Sequence, residues 1–94
     1  PLTRENLTGI IDIMVDGLRG RLADRGLGLE LTDAAKALII DRGYDPLYGA
    51  RPLRRYLQSS AETLIARRIL AGDIPAGSTL VLEVENGELV CRAK

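Results

Sequence analysis

Three arginines stand at the start of a helical pattern, where local electrostatics disfavours them. Pro52 reads as the first residue of a helix, because proline has no amide to lose there and its φ is already helical. That makes Arg51 the N-cap residue, with Arg54 and Arg55 inside the first turn. Arginine carries no acceptor atom and cannot bond the free amides of a helix start. Acidic side chains are favoured at this end, since the helix dipole places partial positive charge there, at about 0.3–1 kcal/mol per charge. Guanidinium groups beside free helix amides suit a phosphate or similar anion. Gly49 and Ala50, just before, keep side-chain bulk small and leave room for a ligand or another backbone. The plainer alternative is that Arg54 and Arg55 point into water, or pair with Asp41, Asp45 or Glu62. For Arg51 the spacing alone leaves both readings open.

Little else in the chain suggests chemistry. There is no His, so the usual general base and the usual zinc ligand are missing. Cys91 is the one cysteine, which excludes an internal disulfide, fits a reducing compartment, and reads as a small packed hydrophobe. No metal site is expected. Thirteen basic residues balance thirteen acidic ones, without the basic excess that phosphate-backbone binding requires. At 46% apolar residues the chain is foldable, yet no apolar run is long enough to span a bilayer. Phe and Trp are absent, so the core must come from Leu, Ile, Val and Ala.

The 94 residues suit one domain, 1–94. Leu7, Ile10, Ile11, Met14, Leu18 and Leu22 recur at helical spacing between Thr3, a plausible N-cap, and Gly26, a plausible left-handed stop. Leu29 to Leu31 alternates as a short strand. A second helix runs from Thr32 or Asp33 to Asp41 or Arg42, with Gly43 as its stop. The loop Tyr44 to Arg51 turns at Asp45-Pro46. The third helix continues to Leu70 or Ala71 with Leu53, Tyr56, Leu57, Ala61, Leu64 and Ile65 inward. Tyr44, Tyr48 and Tyr56 should pack the loop against it. Leu80, Leu82 and Val84 alternate in a strand, Asn86-Gly87 signals a tight hairpin, and Glu88 to Arg92 returns. The expected fold class is α+β: three helices and a small three-stranded sheet, in the order helix-strand-helix-helix-strand-strand.

The run G-Y-D-P-L-Y-G-A-R-P-L-R-R, Gly43 to Arg55, resembles the sensor-2 motif of Clp-family AAA+ proteins, and most closely the second ATPase module of the ClpB type. The resemblance covers essentially the whole chain. R-L-A-D-R-G followed by L-E-L-T is similar to the family's first helix and strand, and I-L-A-G-D-I-P-A-G-S-T, Ile69 to Thr79, to its link into the final hairpin. It implies a C-terminal small (lid) domain. Arg51 would be the sensor-2 arginine reaching the phosphates of ATP held by a large subdomain. Gly49 and Ala50 would set its position, and Ile10 or Ile11 would lie near the adenine. Ser59 to Ile65 departs from the family's pattern midway along the long helix, which bears on the branch rather than on the lid. The phosphate loop, Walker B acids, sensor 1 and arginine finger have no counterpart in these residues. The resemblance therefore implies no catalysis, and no ATP binding, by the domain alone. It also implies a cytoplasmic parent protein: a hexameric ring that unfolds or disaggregates protein substrates. The lid's partners would then be the large subdomain of the same chain and neighbouring subunits. Neither nucleic acid nor a membrane is expected.

Gly9, Ile13, Gly17 and Gly20 share one side of the first helix, away from its apolar stripe. Each glycine costs a helix about 1 kcal/mol relative to Ala. Close approach of another backbone would explain them, as would tolerance in a helix held by packing. The hairpin carries Glu83, Glu85 and Glu88, either an interface or an ordinary solvated face. Two competing readings of the chain are weaker. The element order also suits a winged helix with Arg51, Arg54 and Arg55 on DNA, but the hairpin is acidic where a wing meets phosphates. A free-standing adaptor would bind partners through its sheet edge.

Overall fold

The computed structural model describes residues 3–45, 47–49, 51–72 and 74–94. Helix α1 spans Arg4–Ala23. Its start is a reciprocal cap: the Asn6 amide donates to Thr3 Oγ1 at 3.1 Å, and the Thr3 amide donates to Asn6 Oδ1 at 3.3 Å. Gly26, at φ +75°, makes the left-handed stop beyond it. Strand β1 is Gly28–Leu31. Helix α2, Asp33–Gly43, is capped by Thr32, whose hydroxyl accepts from the Ala35 amide at 3.1 Å.

The third helical rod occupies residues 51–70 without a break. It is α-helical over Arg51–Tyr56 (α3), π-helical over Leu57–Glu62, and α-helical again over Thr63–Leu70 (α4). The sequence suggested one uniform α-helix. The π segment has a geometric reason. The buried residues Leu53, Leu57, Ala61 and Ile65 recur at intervals of four. Four α-helical residues turn about 400°, so each interval drifts about 40° around the rod. The wider i→i+5 turn rotates less per residue and brings Ala61 and Ile65 back to the core side.

Strands β2, Thr79–Glu85, and β3, Glu88–Ala93, form a hairpin around Asn86 at φ 53° and Gly87 at φ 78°. Two positive φ values make the primed turn that suits strand twist. The sheet order is β1-β2-β3, parallel between β1 and β2 and antiparallel in the hairpin. Leu29, Leu80, Leu82 and Leu89 turn one sheet face toward the helices. They meet Leu7, Ile11, Val15, Leu18 and Leu22 of α1, Ala35, Ile39 and Ile40 of α2, and the inner line of the long rod. The fold is thus the expected α+β arrangement in the expected order, with Val15 an additional core residue.

Two local readings need correction. The helix begins at Arg51 rather than Pro52, so Arg51 is its first helical residue and not its N-cap; the neighbouring Ala50 lies outside the described residues. Gly43 is the last residue of α2 and does not take a left-handed conformation. It is glycine because α3 passes against it: a Cβ there would stand 2.8 Å from Leu53 Cα and 2.8 Å from Leu53 Cδ1.

Surface ion pairs join the elements. Arg4 reaches Asp41 at 3.0 Å, Lys36 reaches Asp12 at 3.0 Å, and Arg21 reaches Glu62 at 2.6 Å. Each is solvated and worth about 0–1 kcal/mol. The hairpin's carboxylates are neutralised within the domain: Glu83 and Glu85 bond Arg92, and Glu88 bonds Arg42 at 3.2 Å. Arg42 also donates to the Gly87 carbonyl at 2.9 Å, which ties the hairpin tip to the end of α2. Glu88 first, then Tyr56, hold the Arg42 guanidinium above its ordinary pKa.

Candidate functional site

The loop from α2 to α3 is closed by one residue. Asp45 exchanges two backbone bonds with Gly49: the Gly49 amide donates to the Asp45 carbonyl at 2.6 Å, and the Asp45 amide donates to the Gly49 carbonyl at 3.3 Å. Asp45 Oδ1 accepts from the Leu47 amide at 2.7 Å and the Tyr48 amide at 3.3 Å. The sequence placed a turn at Asp45-Pro46; Asp45 makes it with its side chain, while Pro46 lies outside the described residues. Gly49 sits at φ +68°, and a Cβ there would touch nothing within 4 Å. Its requirement is conformational rather than steric.

Arg51 follows at the mouth of this loop. Its side chain is exposed and has no hydrogen bond or ion pair among the described residues. Tyr48, Arg51, Pro52 and Arg55 line a recess of about 270 Å³. The three arginines therefore separate. Arg51 and Arg55 share the recess, whereas Arg54 lines a different groove with Met14, Gly17, Arg21, Gln58 and Glu62. The acids considered as partners for Arg54 and Arg55 are engaged elsewhere: Asp41 with Arg4, Glu62 with Arg21, and Asp45 with loop amides. Arg55 likewise has no hydrogen bond or ion pair among the described residues, and two guanidiniums unpaired among those residues in one recess suit an anionic group delivered from outside.

The other singled-out residues fall in two places. Ile11 is 0% exposed inside the core and has no surface for a ligand; Ile10 is half-buried at the core's margin. Gly9, Ile13, Gly17 and Gly20 all face outward, with Ile13 at 74% exposure and no atom within 4 Å of a Cβ at any of the three glycines. Tyr44 and Tyr56 pack against the core as expected, but Tyr48 is exposed at the recess. Nothing in the sequence pattern separated it from the other two. Cys91 is half-buried among core residues, and burial pushes its thiol pKa up, with Arg68 acting in the opposite direction. No cluster of three His, Cys, Asp or Glu side chains able to hold a metal occurs among the described residues. No helix among them is long and apolar enough to cross a membrane.

Residues 2–82 match the family model for the C-terminal, D2-small domain of ClpB protein. Over all 94 residues the chain is 52% identical to chaperone protein ClpB of Bacillus cereus (strain ATCC 14579) and 43% identical to that of Clostridium perfringens, covering 11% of each. It is 44% identical over 90 residues, 96% of this chain, to chaperone protein ClpB of Aquifex aeolicus, covering 9% of that protein. The chain thus spans about a tenth of the length of the curated relatives it matches. The match extends over helices, sheet and the Asp45–Arg51 loop alike, and the chain belongs to the ClpB D2-small domain family.

Proposed function

We propose that this domain is the lid over an ATP site and that Arg51 is its sensor-2 arginine, contacting the terminal phosphates. The observation that carries the reading is that Arg51 is exposed and unpaired among the described residues, beside a recess shared with Arg55. The rest of the site belongs to a large ATPase subdomain of the same parent chain. Ile10, at the rim of the core, lies toward the adenine, and Gly49 sets the backbone ahead of Arg51. The domain itself performs no chemistry. A charge-assisted bond contributes about 1.5–3 kcal/mol, well short of the ~8 kcal/mol that micromolar ATP affinity requires. The outward Gly9, Ile13, Gly17 and Gly20 side of α1 receives the large subdomain or a neighbouring subunit. The parent is a cytoplasmic hexameric ring that couples ATP hydrolysis to unfolding or disaggregating proteins.

The test is Arg51→Ala in the parent chain, read by ATP turnover and by recovery of an aggregated reporter enzyme. Loss of a 1.5–3 kcal/mol interaction lowers turnover about 10–150-fold. The isolated domain should melt at the unchanged temperature, because Arg51 is exposed at a helix end. Undiminished turnover, or a lid that unfolds on this substitution, would refute the assignment.

A further inference from the structure

Resting on that reading of Arg51, we propose that Asp45 is its positioning residue, and that Asp45 acts through hydrogen-bond acceptance rather than through charge. Both ends of the loop are anchored. At α2 the Tyr44 amide donates to the Ile40 carbonyl at 3.0 Å, and Leu53 of α3 is fully buried against Gly43. Between these anchors, Asp45 takes part in four hydrogen bonds, two through its backbone and two through Oδ1. The side-chain pair fixes the amides of Leu47 and Tyr48, and the backbone pair fixes Gly49, two residues before Arg51. Without Oδ1 the chain at Leu47 and Tyr48 loses its local acceptor, and the approach of Arg51 to the recess is no longer set. A misplacement of about 1 Å at a reacting group lowers rates by up to about 10²-fold. Asp45 makes no ion pair among the described residues, so its negative charge has no partner to serve.

The experiment is a double-mutant cycle in the parent chain, with kcat and KM for ATP measured separately. Asp45→Ala is expected to lower kcat about tenfold. Asp45→Asn, which keeps Oδ1, should retain kcat within about twofold of the parent chain. Asp45→Glu keeps the charge but displaces the acceptor, and should fall with Asp45→Ala. In an Arg51→Ala background, adding Asp45→Ala should change kcat by less than about twofold, since the residue acts only through the arginine. Far-ultraviolet circular dichroism of each parent-chain variant should match that of the unmodified parent. A product of the two single losses in the double variant would overturn the proposal, as would failure of Asp45→Asn to retain turnover. Strong dependence on Arg51 with no loss in Asp45→Ala and Asp45→Glu would overturn it alone. An Arg51→Ala chain as active as the parent would overturn the nucleotide reading and this proposal together.

Discussion

Replacing Gly43 with alanine should destabilise the domain, although the same change elsewhere on its helices should stabilise it. The new methyl carbon would lie 2.8 Å from Leu53 Cα, 2.8 Å from Leu53 Cδ1 and 3.4 Å from Tyr56 Cβ. Non-bonded carbons rest about 3.5–4.0 Å apart. The side-chain contacts can relax, but Leu53 Cα is backbone in a fully buried residue and moves only if α3 moves. Overpacking of this kind costs about 1–3 kcal/mol. Against it stands at most about 1 kcal/mol of helix propensity gained on leaving glycine. Even against the full propensity gain the balance is a loss of up to about 2 kcal/mol, at some 4–8 °C of melting temperature per kcal/mol in a domain of this size. Gly17→Ala and Gly20→Ala supply the opposite arm. Both positions are exposed within α1 with no atom within 4 Å of the added carbon, so each should gain about 0.5–1 kcal/mol. The assay is thermal unfolding followed by circular dichroism, supported by urea midpoints. A melting temperature for Gly43→Ala equal to or above that of the unmodified chain would refute the close-approach account.

Ile13→Asp should leave the melting point of the domain within about 4 °C, since surface changes cost under about 0.5 kcal/mol, while reducing the proposed ring assembly of the parent in analytical ultracentrifugation. Equal damage to fold and assembly would remove the interface reading. Cys91 should react with iodoacetamide at pH 7.5 several-fold more slowly in the folded domain than in urea, and faster as pH rises. Its raised pKa lowers the thiolate fraction at neutral pH, and packing against the core limits access. Folded-state alkylation as fast as in urea would contradict the burial.

Much of the fold is readable from residue type and spacing because the forces involved are local. Thr3 and Thr32 cap because a hydroxyl reaches an amide three residues on. Gly26, Asn86 and Gly87 turn the chain because few residues tolerate positive φ. The stripe through Leu7, Ile11, Leu18 and Leu22 buries because 3.6-residue periodicity puts these side chains on one side. The conflict of Arg51, Arg54 and Arg55 with the helix dipole is legible for the same reason: it lies within five residues. What lay beyond the sequence depended on distant partners. That Gly43 ends α2 is legible in the sequence, but the reason it must be glycine is not, because only the arrival of Leu53 shows that a methyl group has no room. The π turn follows from the need to hold Leu53, Leu57, Ala61 and Ile65 in line against a sheet that the local sequence does not contain. The division among Arg51, Arg54 and Arg55 required the positions of α1 and of the Asp45 loop. Sequence alone thus determined which residues cap, turn and form an apolar stripe. Tertiary structure decided which of them touch, since steric contact and burial belong to pairs of residues far apart in the chain.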